Sequence, residues 1–206
     1  MKSTLKTIAL LMLFAVTACS KDDDNKTIDE PISERLEYEF TNEVLIPDGT
    51  GSIALINLEV DADGVVIDPS KIFIEITLEH ELAIDVSYGY LMPNNGNEFQ
   101  AIVNNLGGFN KYSAQNVLSF NPENTQVLNA SDTFSYPDNT IPQDDYKEGT
   151  INPEFPVETP LFKSMMNKNI KGTWKFFVLD DWDQDEGKVI KIKLIFDEGA
   201  LQVNEI

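Results

Sequence analysis

Between Ile170 and Phe196 the chain spells a strand, a tight acidic turn and a second strand. The first run is Ile170-Lys-Gly-Thr-Trp-Lys-Phe-Phe-Val-Leu-Asp180, and the turn is Asp181-Trp-Asp-Gln-Asp-Glu-Gly187. Lys188-Val-Ile-Lys-Ile-Lys-Leu-Ile-Phe196 then follows. Two runs rich in β-branched and aromatic residues, joined by Asp and Gly, are hairpin material. In the second run Ile190, Ile192, Leu194 and Phe196 alternate with Lys191, Lys193 and Ile195. A longer alternation starts at Ile72. The even positions are Ile72, Ile74, Ile76, Leu78, His80, Leu82, Ile84, Val86, Tyr88 and Tyr90, while Glu75, Thr77, Glu79, Glu81, Asp85 and Ser87 lie on the odd ones. Period-two patterning turns one set to a core and the other to solvent. Strands rarely exceed about 10 residues, so this stretch predicts two strands broken near His80 to Ala83. Ile53 to Val60 predicts another strand, closed by a tight turn at Asp61-Ala-Asp-Gly64. Shorter strands are expected at Glu98 to Val103 and Asp132 to Tyr136.

Residues 104–129 and 137–160 are rich in Asn, Gly, Pro and Asp and read as long loops between sheets. No helical periodicity of useful length and no internal repeat is visible. Short strands joined by long crossovers predict an all-β chain, a β-sandwich of jelly-roll type with a galactose-binding-like architecture. A single domain over residues 35–206 suits the length.

The first 18 residues have a different character. Lys2 and Lys6 precede the apolar run Ile8-Ala-Leu-Leu-Met-Leu-Phe-Ala-Val16. That run is too short for a membrane span, which takes roughly 20 residues, and it has the form of a secretory signal. Val16-Thr-Ala-Cys19 resembles the lipobox of bacterial lipoproteins. The resemblance implies that residues 1–18 are removed and that Cys19 becomes the acylated N-terminus. Cys19 is the single cysteine, so no intrachain disulfide can form. Removing residues 1–18 takes away Lys2 and Lys6 and no acidic group, so the net charge goes from −20 to −22. Such a chain is repelled by nucleic acid and by anionic lipid head groups, which leaves the acyl chains as its membrane contact. Ser20-Lys-Asp-Asp-Asp24 resembles the surface-export signal of some Gram-negative outer-membrane lipoproteins. It also reads as a plain solvated linker, and the two readings are compatible. Residues 19–34 are expected to form an acidic flexible tether. The address implied is a bacterial outer membrane, lipid-anchored and exposed on the surface.

From Tyr38 to Phe196 the chain resembles the P domain (P/Homo B domain) of kexin- and furin-like proprotein convertases. The resemblance rests on Ile46-Pro-Asp-Gly49, on the apolar strand before His80, and on the spacing of His80, Asp85 and Pro93. Asp132-Thr-Phe134, Tyr146-Lys-Glu-Gly-Thr-Ile-Asn-Pro153, Pro160-Leu161, Gly172-Thr-Trp174 and the Asp180 to Gly187 turn complete it. Ile84-Asp-Val86 stands where that family has Gly-Asp-Leu, and Pro93-Asn-Asn-Gly-Asn97 where it has Pro-x-Gly-Thr. In the convertases this module packs on a subtilisin-like domain, supports its folding and calcium dependence, and supplies no catalytic residue. The resemblance thus implies a non-catalytic module, with a family label of serine endopeptidase attached by association only.

The residues themselves give little chemistry. His80 is the only histidine and sits on the apolar parity of its strand, the place of a buried structural histidine with backbone partners. No Gly-x-Ser-x-Gly elbow occurs, and no carboxylate pair is singled out for glycosidase work. No catalytic residue is assigned. Asp180, Asp181, Asp183 and Asp185 bracket one turn, and alternate carboxylates there can converge on calcium. The same residues also read as a solvated acidic tip. Trp182 at that tip either stacks on a glycan or a protein partner or folds back over the sheet edge. Trp174 is expected in the core. The expected role is a binding module for a protein or glycan. The alternative is an accessory domain for a separately encoded subtilisin-like serine protease.

Overall fold

A computed structural model describes residues 31–49, 52–82, 86–93, 100–103, 110–129, 136–151, 161–181 and 185–203. Thirteen strands order them: β1 (Leu36–Phe40), β2 (Val44–Ile46), β3 (Ser52–Val60), β4 (Gly64–Val66), β5 (Ile72–His80), β6 (Val86–Leu91) and β7 (Gln100–Val103) come first. Then follow β8 (Leu118–Phe120), β9 (Gln126–Asn129), β10 (Asp144–Ile151), β11 (Gly172–Asp180), β12 (Gly187–Phe196) and β13 (Leu201–Val203). Among the described residues the only helical turns are short 3-10 segments, such as Pro69–Lys71 and Leu161–Met165.

Two sheets make the sandwich. One has the order β1-β12-β5-β8-β10-β9, with β2 also paired to β12; the other is β3-β11-β6-β7. The inward faces carry the expected parity. Ile72, Ile74, Ile76 and Leu78 of β5 face Ala54, Ile56, Leu58 and Val60 of β3 and Trp174, Phe176 and Val178 of β11 in one core cluster. Trp174 is fully buried, as its sequence position predicts, and its indole N–H donates to the Ile170 carbonyl at 2.8 Å. The break in the long alternation falls after His80, and β6 resumes at Val86.

Several expectations are corrected. Residues 104–129 and 137–160 are not loops throughout. They contain β8, β9 and β10, and β10 runs parallel to both of the others. β8 and β9 are three and four residues long, too short to show a period, and Asp144-Asp-Tyr-Lys-Glu-Gly-Thr-Ile151 lacks clean alternation. Pairing with an already formed sheet makes these segments strands. Asp61 to Gly64 closes no hairpin, because β3 pairs with β11 while β4 pairs with β13. In β12 a register shift between Val189 and Lys191 moves the inward position from Ile190 to Val189, which is fully buried. A bulge of this kind offsets the side-chain parity by one. Ile32, placed in the tether by sequence, is tied to the fold: its N–H donates to Leu201 O at 2.7 Å and its carbonyl accepts from the Gly199 N–H at 3.0 Å. The expected strand at Asp132 to Tyr136 lies almost wholly outside the described residues, as do Cys19 and the whole signal segment.

Candidate functional site

β11 and β12 flank the acidic turn seen in the sequence, but they form no hairpin, because they do not pair with each other. β11 lies in one sheet between β3 and β6, and β12 lies in the other between β1 and β5. The turn therefore crosses from sheet to sheet at one end of the sandwich, and the carboxylates at its two feet are carried inward. Asp180 closes β11 on the inward parity of Trp174, Phe176 and Val178, and it has no exposure. Asp185, two residues before β12 begins, is 5% exposed. Between them stands His80, the last residue of β5, at 1%.

The ring of His80 is held at both nitrogens. Nδ1 lies 2.6 Å from the Leu82 carbonyl oxygen. A carbonyl can only accept, so this short contact calls for a proton on Nδ1, although the Leu82 N–H also approaches Nδ1, at 3.3 Å. Nε2 faces Asp180 Oδ2 at 3.3 Å. Asp185 Oδ2 approaches Nδ1 at 3.6 Å, beyond a hydrogen bond,. Among the described residues neither carboxylate oxygen of Asp185 has a hydrogen-bond partner. Burial pushes its carboxyl above the usual aspartate range. His80 opposes that shift, while Asp180, Asp48 and Glu81 reinforce it through their negative charge.

The backbone builds the seat for this ring. Gly187 pairs with His80 on one side and with Ile46 on the other. A Cβ at Gly187 would fall 2.1 Å from His80 Cδ2 and 2.9 Å from the Glu79 carbonyl oxygen, so only glycine admits the imidazole. On the far side Tyr112 brackets His80 with a pair of backbone hydrogen bonds, its N–H donating at 2.9 Å and its carbonyl accepting at 3.3 Å. Burial raises the Tyr112 phenol well above its ordinary range. Outside the cluster opens a cleft of about 510 Å³ lined by Leu45, Glu79, His80, Glu81, Lys111, Tyr112, Glu186, Gly187 and Lys188. Its rim mixes three glutamates with two lysines and the exposed Leu45.

The structure brings together two of the four aspartates expected at a cation site. Asp180 and Asp185 converge, while Asp181 is exposed. Asp183 and Trp182 lie outside the described residues. The residue missed by sequence as a site member is His80. It was expected to find backbone partners, and Leu82 is one, but its second nitrogen meets a carboxylate. The signal was present: Asp180 shares the inward parity of Trp174, and His80 shares that of Ile72. Two polar residues at inward positions, each closing its strand, invite pairing. Four of the residues carrying the P-domain resemblance, Ile46, His80, Asp180 and Gly187, are neighbours in space here.

No protein-family model matches this sequence, and no curated protein matches it. Among solved structures a match is found to a chain of the Aeromonas sobria serine protease (ASP) and chaperone (ORF2) complex. The two share 10% identity and a TM-score of 0.43, over 86% of this chain and 28% of the other. The present chain thus spans little more than a quarter of that one.

Proposed function

We propose that this protein is a non-catalytic binding module, lipid-anchored through Cys19 and displayed on a bacterial outer membrane, with a cation stiffening the end of the sandwich that carries the acidic turn. The observation that supports it best is the state of His80. A catalytic histidine must turn one nitrogen to a nucleophile and the other to an orienting acceptor. Here both nitrogens face oxygen acceptors, Leu82 O and Asp180 Oδ2, and the ring is walled in by Gly187 and Tyr112. The contact surface lies outside this cluster, in the amphipathic cleft and the acidic tip. Calcium is the ion suggested for that tip by its alternating aspartates.

A second reading, an accessory domain for a separately encoded subtilisin-like protease, draws on one observation. Four residues of the P-domain resemblance, Ile46, His80, Asp180 and Gly187, meet at one end of the sandwich, while Pro93, Gly172 and Trp174 lie at the other end of β11. Affinity capture separates the two readings. The lipidated chain in detergent is exposed to native envelope extract, with calcium and with chelator. Retention of a surface protein or glycan supports the binding module. Retention of a subtilisin-like protease supports the accessory role. Turnover of a peptide or glycoside substrate by the purified chain, abolished by His80→Gln, overturns the non-catalytic reading.

A further inference from the structure

We propose that a ring nitrogen of His80 and the carboxylates of Asp180 and Asp185 form a binding site for one borderline divalent cation of the zinc class. The inference stands on the geometry of the cluster and does not depend on which partner the module binds.

Three observations carry it. The first is spacing. One donor atom from each of the three residues lies within 4.8 Å of the others. Zinc bonds to imidazole nitrogen and carboxylate oxygen are near 2.1 Å, so neighbouring ligands of a tetrahedral centre stand about 3.4 Å apart; Nε2 and Asp180 Oδ2 are 3.3 Å apart.

The second is the tautomer. Histidines that bind metal commonly donate their other ring N–H to a backbone carbonyl, which fixes the ring and frees the ligating lone pair. The 2.6 Å contact from Nδ1 to Leu82 O is that arrangement. Nε2 faces Asp180 Oδ2 at 3.3 Å, a gap that a second ring proton or a cation can fill,.

The third is Asp185. Its carboxylate is almost completely enclosed, both oxygens lack a hydrogen-bond partner among the described residues, and one of them points toward the imidazole. A buried charge without a partner is costly enough that such groups are normally paired or metal-bound. The contrast with Asn121 is direct. That side chain is equally buried, and it donates to Ser70 O and Ile72 O at 2.7 Å and accepts from the Glu123 N–H at 2.8 Å.

Charge then selects the ion. The site gathers two carboxylates, and one divalent cation matches their charge. Asp48 and Glu81 add to the negative field at Asp185. Calcium wants six to eight oxygen ligands, whereas this site offers two carboxylates and an imidazole nitrogen, a donor set suited to zinc.

The test uses the full chain in detergent with Cys19→Ser, so that the thiol takes no metal. Zinc, cobalt and calcium are each titrated into chelator-treated protein. The expected result is one equivalent of zinc bound, a rise in melting temperature, and the intense visible bands of tetrahedral cobalt. Asp185→Asn keeps the shape and should weaken zinc binding about 100-fold or more, the upper range for disturbing a metal shell. His80→Gln should abolish the cobalt spectrum, with far-UV dichroism and a cooperative melt checking that it folds. Stabilisation by calcium but not by zinc overturns the proposal, as does binding of neither metal. Zinc binding that survives both substitutions also overturns it, by placing the metal elsewhere on the acidic surface.

Discussion

The two ends of β11 solve the same problem with opposite materials. At its start Trp174 packs tilted against Tyr90, stacks on Phe176 and meets Phe196 edge-on, at ring separations of 5.7, 6.5 and 6.0 Å. The only polar atom of its side chain is spent on Ile170 O. At its finish, on the same inward parity, Asp180 enters a group of three titratable side chains of which Asp185 has no hydrogen bond among the described residues. The aromatic end is complete in itself, since burial of apolar area supplies the stability and nothing more is needed. The polar end gains nothing from burial alone and has to be balanced by protons or by an ion. A fold can therefore show where it is built for stability and where it is built for something else. The distinction is made by whether buried polar atoms are spent.

The largest expected effect breaks the aromatic end. Trp174→Ala should destabilise by roughly 3–5 kcal/mol in chemical denaturation, the usual range for truncating a buried tryptophan. The effect should be the same with zinc or chelator present, because the indole lies outside the polar cluster. A loss below about 1 kcal/mol would mean that the site collapses around the deletion and that the two ends are less different than their packing indicates. Next in size is Gly187→Ala. Its methyl would stand 2.1 Å from the imidazole, and overpacking of this kind costs about 1–3 kcal/mol. Unlike the tryptophan change it should also remove the zinc response, because the ring must move. Retention of that response would place the metal away from His80.

How far the sequence announces each end follows from the physics of each. The aromatic end was legible because it is local: alternation along β5 and β11 marks the buried positions without knowledge of their partners. Trp174, Tyr88 and Tyr90 stand where parity puts them. The polar end is made by topology. His80 and Asp180 meet only because β5 pairs with β12 while the turn leading into β12 returns from the other sheet, and no short-range pattern encodes that crossing. The acidic turn suggested a cation on Asp180, Asp181, Asp183 and Asp185, a set that includes the two buried carboxylates but leaves out the histidine. The parallel strands β8, β9 and β10 were hidden for a related reason, since their pairing is non-local and their own sequences are too short or too polar to show a period. Trp182 and Asp183 lie outside the described residues, so the tip is untouched by this comparison.

Asp185→Asn sharpens the contrast with a smaller effect. In chelator the amide should leave stability within about 1 kcal/mol of the parent, because a carboxylate that makes no hydrogen bond loses little on replacement by a neutral isostere. In zinc the parent should gain a higher melting temperature and the variant should not. Equal loss of stability in both conditions would show that Asp185 serves the apo fold, and would bring the polar end closer to the aromatic one.

The smallest effect concerns a carboxylate in the opposite setting. Glu37 on β1 lies on the open face of the sheet, bonded to Lys193 across the strand pair and to Arg35 at 2.6 Å, with its side chain 38% exposed. The Lys193 hydrogen bond, aided by Arg35, holds its carboxyl below the usual glutamate range, with burial opposing weakly. Asp185 is displaced in the other direction, so one fold shifts two carboxylates oppositely according to whether solvent or enclosure dominates. For Glu37 the lowered value in the folded state means that its contribution is present above the unfolded value and fades as pH falls through the folded one. Glu37→Gln should therefore flatten the acid side of the stability curve, by less than about 1 kcal/mol because exposed pairs are screened. Molar salt should erase the difference between parent and variant, while leaving the zinc response of the enclosed cluster in place. A salt-sensitive zinc response would instead put that ion among the exposed charges, on the same footing as Glu37.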